Sequence, residues 1–183
     1  MLAVIDRRSA TGKRDYAMIL TTARLGLRIS DLRRLELGEL DWRAKQFTIV
    51  QHKTGRPLTL PLLQDVGWAI IDYVRDGRPD TACPKVFVKH RHPFDAFGSA
   101  SSIASRLSRH AARAGIEFGP GQVCGMHSLR GSLAVALSGG ATAMPVCTSV
   151  FVPASTDPHR ASYLPCDISR HPDLHFVVEA GRH

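Results

Sequence analysis

Apolar positions along the chain change their spacing several times, and each change marks an element. Over residues 14–27, Tyr16, Ile19, Leu20, Ala23 and Leu27 recur at helical intervals, predicting an amphipathic helix that Gly26 interrupts near its end. A short second helix is predicted after Ser30, which caps it, with Asp31 in the first turn and Leu32, Leu35 and Leu37 behind. Arg28 then falls at the junction of two helices, a good place from which to aim a side chain into a cleft. From Asp41 the period drops towards two. Residues 46–51 alternate as a half-buried strand, residues 52–57 supply turn chemistry, and Leu58-Thr59-Leu60 returns. The pattern is a β-hairpin with Lys53 at its tip or just before it, where a lysine commonly does no more than solubilise the turn.

Residues 65–75 read as a third helix with Val66, Ala69, Ile70, Tyr73 and Val74 inward, ended by Gly77-Arg78-Pro79-Asp80. Val86-Phe87-Val88 is either a short strand or a loop touching the core. Residues 99–114 predict a helix with Ile103, Leu107 and Ala111 inward, and with Arg106, Arg109, His110 and Arg113 as a basic face. A further apolar helix follows the Gly119-Pro120-Gly121 turn, on Leu129, Leu133, Ala136 and Leu137. His127 and Arg130 stand at its start. Backbone N–H groups there favour an anion, and an arginine in the first turn opposes the helix dipole unless an anion is present. Beyond Ser138-Gly139-Gly140, Pro153, Pro158, Pro165 and Pro172 limit any helix to a turn or two.

Composition narrows the class. The 183 residues suffice for one core, and 44% hydrophobic with 22% charged residues is ordinary for a globular protein. No apolar run approaches the length of a membrane span, and the first 14 residues lack an apolar signal core, so a cytoplasmic location is expected. The charge balance says more. Against 16 acidic residues stand 24 Lys and Arg, giving a net charge of +8 that favours a polyanionic partner. Cys83, Cys124, Cys147 and Cys166 form no CxxC pair and read as reduced thiols. Cys166, His171 and His175 lack a fourth ligand at characteristic spacing, so no metal site is expected.

Three motifs occur in a telling order. Leu25-Gly26-Leu27-Arg28-Ile29-Ser30-Asp31-Leu32 resembles the first-arginine motif of the tyrosine recombinases, the phage-integrase family, with Asp31 at the acidic position that follows. Lys53, ahead of a Thr-Gly-Arg turn, is similar to the family's hairpin lysine. His127-Ser128-Leu129-Arg130 resembles its His-x-x-Arg box. The likeness runs from about Lys13 to Asp167 and implies a mainly helical α+β catalytic domain with a small antiparallel hairpin or sheet packed on a helical bundle. Residues 1–12 are then an N-terminal remnant or linker and residues 168–183 a tail.

The resemblance also implies a chemistry. Tyr163 would attack a phosphodiester to give a 3′-phosphotyrosine, Arg28 and Arg130 would hold the non-bridging oxygens, Lys53 would protonate the leaving oxygen, and His127 would assist proton transfer. No cofactor is implied. The partner is double-stranded DNA, with self-association on it; Arg56, Arg106, Arg109 and Arg113 are candidate phosphate contacts. Two departures keep a second reading open. Pro153 stands where the family carries a histidine or tryptophan, and Tyr163 comes one residue later than the usual interval. A recombinase fragment with an impaired site and an inactive DNA-binding remnant are therefore both expectations.

Overall fold

A computed structural model describes residues 1–116. Four helices and a three-stranded sheet make up this part, the mainly helical α+β architecture expected. Met1 and Ile5 flank a single helical turn and are buried in the same core as the helices that follow.

Helix α1 spans Ala10–Leu25, starting one turn earlier than its apolar stripe predicts. The Ser9 hydroxyl caps it, accepting the Gly12 N–H at 3.1 Å, and a polar first turn then carries no hydrophobic signal. Gly26 ends the helix in the left-handed region at φ 62°, its N–H donating to the Thr22 carbonyl at 2.9 Å. That reversal sends Leu27 into the core and leaves Arg28 extended. Helix α2, Ile29–Arg34, has Arg28 as its cap residue rather than Ser30. The Arg28 carbonyl accepts both the Asp31 and the Leu32 N–H, which draws Ser30 inside the helix.

Strands β1 (Leu40–Asp41), β2 (Gln46–Val50) and β3 (Pro57–Pro61) form an antiparallel meander in the order β1-β2-β3. Phe47 and Ile49 on β2 pair with Leu60 and Leu58 on β3 and face the core, while Thr48 and Thr59 share a hydrogen bond on the open face. β1 is only two residues long and gives no alternation to read. Its reversal into β2 is fixed by Asp41, whose carboxylate accepts the Arg43 and Ala44 N–H groups at 3.0 and 2.8 Å. β3 is the outer strand among the described residues, bounded by a proline at each end.

Helix α3, Gln64–Asp76, lays Val66, Ala69, Ile70 and Tyr73 against α1, with Val74 half-buried. Val86, Phe87 and Val88 are fully buried but form a core-filling loop, with short antiparallel bridges at Glu36–Lys85 and Val88–Ala96 and the Val86 N–H donating to the Leu35 carbonyl at 2.9 Å. Phe87 stacks on Tyr73 at 5.8 Å. The imidazole of His90 also stacks on Tyr73, and burial together with the Arg14 charge pushes its pKa down to about 4, so it stays neutral near pH 7.

Helix α4, Ala100–Arg113, buries Ile103, Leu107 and Ala111 as its pattern predicts. Its basic face is narrower than predicted, because His110 is buried and Arg106 turns inward. Both meet Asp15. The His110 Nε2 lies 3.1 Å from one Asp15 oxygen and the Arg106 guanidinium 3.6 Å from the same atom. Arg14, fully buried, donates to the other Asp15 oxygen at 2.7 and 3.0 Å and to the Val88 carbonyl at 3.2 Å. The Phe97 ring lies against both guanidinium groups. His110 lies seven residues beyond Ile103, two helical turns along the same buried face. Arg109 and Arg113 are the arginines of α4 left exposed.

Candidate active site and nucleic-acid interface

Arg28 stands between the Gly26 reversal and α2, with its guanidinium beside Asp31 one turn along the helix. The side chain is only 14% exposed, and its Nη1 stands 3.9 Å from Asp31 Oδ2, close enough for charge pairing but not for a hydrogen bond. That nitrogen is buried with no hydrogen-bond partner among the described residues. A buried cationic donor that finds no acceptor among the described residues suits an anion, whose entry beside it would complete the hydrogen bonding.

The other oxygen of Asp31 faces the hairpin. Its Oδ1 accepts the backbone N–H of His52 at 2.9 Å, so one buried carboxylate holds Arg28 with one oxygen and the residue preceding Lys53 with the other. Arg34 at the end of α2 approaches the same turn, its guanidinium 3.4 Å from the His52 ring. α2 is itself fixed from behind. Arg33 donates to the Phe97 and Gly98 carbonyls ahead of α4, and the Lys85 ammonium donates to the Arg34 carbonyl.

The structure thus brings Arg28, Asp31 and the Lys53 turn together. Lys53 and Arg56 are exposed on the turn, Arg109 and Arg113 on the outside of α4, and Arg106 is half-buried beside Asp15. His127, Arg130, Pro153 and Tyr163 lie outside the described residues, as do Cys166, His171 and His175. Gln51 escaped the sequence reading. It is buried at the foot of an otherwise exposed turn, and its side-chain oxygen accepts the Thr54 hydroxyl at 2.8 Å. The signal lay in the spacing, a polar residue three positions before a threonine across a turn that needs closing.

A small antiparallel sheet on a helical core, with an arginine at a helix junction tied through an acid to a lysine-bearing turn, defines an α+β domain with a cationic cluster beside its hairpin. The model of the phage integrase family matches residues 1–143, and the chain belongs to that family. It is 43% identical over 143 residues to the Sinorhizobium fredii protein named "Putative integrase/recombinase y4rA", covering 78% of this chain and 34% of that protein. The chain spans about a third of the length of that protein and of a second Sinorhizobium fredii relative, "Putative integrase/recombinase y4rF". Among solved structures, the XerA recombinase superimposes with a TM-score of 0.67 at 19% identity, covering 94% of this chain and 60% of that one. The XerH site-specific recombinase bound to its difH substrate gives 0.65 at 17% identity, covering 84% and 43%. The fold is that of these recombinases. No helix among the described residues is long and apolar enough to cross a membrane.

Proposed function

We propose that the chain is the catalytic part of a tyrosine recombinase or integrase that breaks and rejoins double-stranded DNA in the cytoplasm, assembling with further copies on the DNA. The observation that carries this reading is the buried Nη1 of Arg28, unpartnered among the described residues and held beside the Lys53 turn by a single carboxylate. Family membership supports it, as does the likeness to a recombinase crystallised on its DNA substrate.

In this reading the Tyr163 oxygen forms a bond to a backbone phosphorus while the bond from that phosphorus to the 5′ oxygen breaks. Arg28 and Arg130 neutralise the charge gathering on the non-bridging oxygens. The electron pair left on the 5′ oxygen takes a proton from the Lys53 ammonium, and His127 assists by taking the proton that the Tyr163 hydroxyl gives up as it attacks. A 5′ hydroxyl from another strand reverses the step. Asp31 holds Arg28 and the turn in mutual register, and Arg56, Arg106, Arg109 and Arg113 contact the phosphate backbone.

Pro153 and the one-residue delay of Tyr163 favour a second reading, a remnant that binds DNA without cutting it. Incubation with a nicked suicide duplex separates the two. The recombinase reading expects a covalent protein–DNA adduct that disappears in Tyr163→Phe. Binding with no adduct from the unsubstituted chain would establish the remnant.

A further inference from the structure

We infer that Thr54 and Gln51 are positioning residues for Lys53, fixing the backbone on which the lysine is carried so that its ammonium is presented at one place. This rests on the recombinase reading above, in which Lys53 is the proton donor. A lysine that merely solubilises a hairpin tip needs no internal scaffolding, yet the residues on both sides of Lys53 are tethered. On one side the His52 N–H donates to the buried Asp31 at 2.9 Å. On the other the Thr54 hydroxyl donates to the side-chain oxygen of Gln51 at 2.8 Å, and its oxygen faces the Arg56 N–H at 3.4 Å.

Gln51 is 6% exposed, whereas His52, Lys53, Gly55 and Arg56 are all exposed. A buried amide must find partners, and this one spends its acceptor on the residue after the lysine. The Gln51 backbone closes the same loop. Its carbonyl accepts the Thr54 and Gly55 N–H groups at 3.3 and 2.8 Å, and its N–H donates to the Arg56 carbonyl at 2.9 Å. Gly55 takes φ 66° with open space where a Cβ would stand, so its conformation, not a close neighbour, calls for glycine. The outcome is a lysine whose side chain is free to reach while its Cα is held.

Proton donation by Lys53 matters when the 5′ oxygen leaves, and a substrate with sulfur at that bridging position leaves as a thiolate without needing the proton. The test therefore compares ordinary and 5′-bridging phosphorothiolate suicide duplexes, using the full chain and Thr54→Val, Thr54→Ser and Lys53→Ala. Thr54→Val is expected to cleave the ordinary duplex about ten- to a hundredfold more slowly, the scale of a catalytic group displaced by about an ångström. Its DNA affinity is expected to be unchanged, the phosphorothiolate to restore its rate to that of the unsubstituted chain, and Thr54→Ser to recover activity on both duplexes. Lys53→Ala should show the same rescue from a deeper loss, about 10²- to 10⁴-fold.

Equal impairment of Thr54→Val on both duplexes would overturn the inference by making the hydroxyl a general prop of the fold. So would full activity of Thr54→Val on the ordinary duplex. Failure of the unsubstituted chain to form an adduct with either duplex is a separate result, which removes the recombinase reading and this role with it.

Discussion

Asp31 has two oxygens, and each answers to a different element. One faces Arg28 at 3.9 Å and the other takes the His52 N–H at 2.9 Å, so substitutions at this residue divide charge from hydrogen bonding. Asp31→Ala removes both and is expected to destabilise the protein by about 1–3 kcal/mol, the range for stranding a buried polar partner. Asp31→Asn keeps an oxygen for His52 and should cost less. Urea unfolding of the two variants checks this; equal losses would show that the charge beside Arg28, not the bond to the turn, dominates. Much of this residue-scale arrangement was legible. Arg28, Asp31 and Lys53 stand out in the sequence because the Gly26 reversal and the turn residues locate them between elements. Gln51 was passed over because a polar residue is assigned outward by type, although the alternation of Phe47 and Ile49 puts it on their inward face.

Between elements, the buried group of Arg14, Asp15, Arg106 and His110 joins α1 to α4 and to the loop at Val88. One carboxylate serves two arginines and a histidine there. Removing it would leave Arg14, wholly out of solvent, with no compensating charge, so Asp15→Ala is expected to cost about 3–5 kcal/mol by denaturant unfolding. A loss within about 0.5 kcal/mol, the range of ordinary surface substitutions, would mean that the Val88 carbonyl and the Phe97 ring suffice for Arg14. The apolar faces of α1, α3 and α4 were readable because hydrophobic spacing reports burial directly. The charged contents of the α1–α4 interface were not, because a pattern that treats every charge as outward assigns His110 to solvent despite its place two turns beyond Ile103.

Across the whole molecule the basic excess of +8 is distributed unevenly by these interior ties. Several arginines face inward to carbonyls and carboxylates, leaving Arg56 on the turn and Arg109 and Arg113 on α4 among those exposed. If the two α4 residues each neutralise a DNA phosphate, replacing both with alanine lowers the slope of log affinity against log salt by about 1.8, at about 0.9 per contact. Fluorescence anisotropy with a duplex over a salt series measures that slope. An unchanged slope would place the outer side of α4 away from DNA. Net charge predicted a polyanionic partner from composition alone, but which arginines remain outside depended on the fold.

The outer strand of the sheet carries one more consequence. The Gln51 N–H bonds to the Arg56 carbonyl, and the alternation of an antiparallel ladder then turns the backbone nitrogens of Pro57, Thr59 and Pro61 away from β2. Two of those three outward positions are proline, so the rim offers a single N–H donor, that of Thr59. A foreign strand laid along it would find carbonyl acceptors but a single donor, too few to complete a ladder. Among the described residues no further strand lies on that flank, and its proline-interrupted rim guards the hairpin against stacking into fibrils.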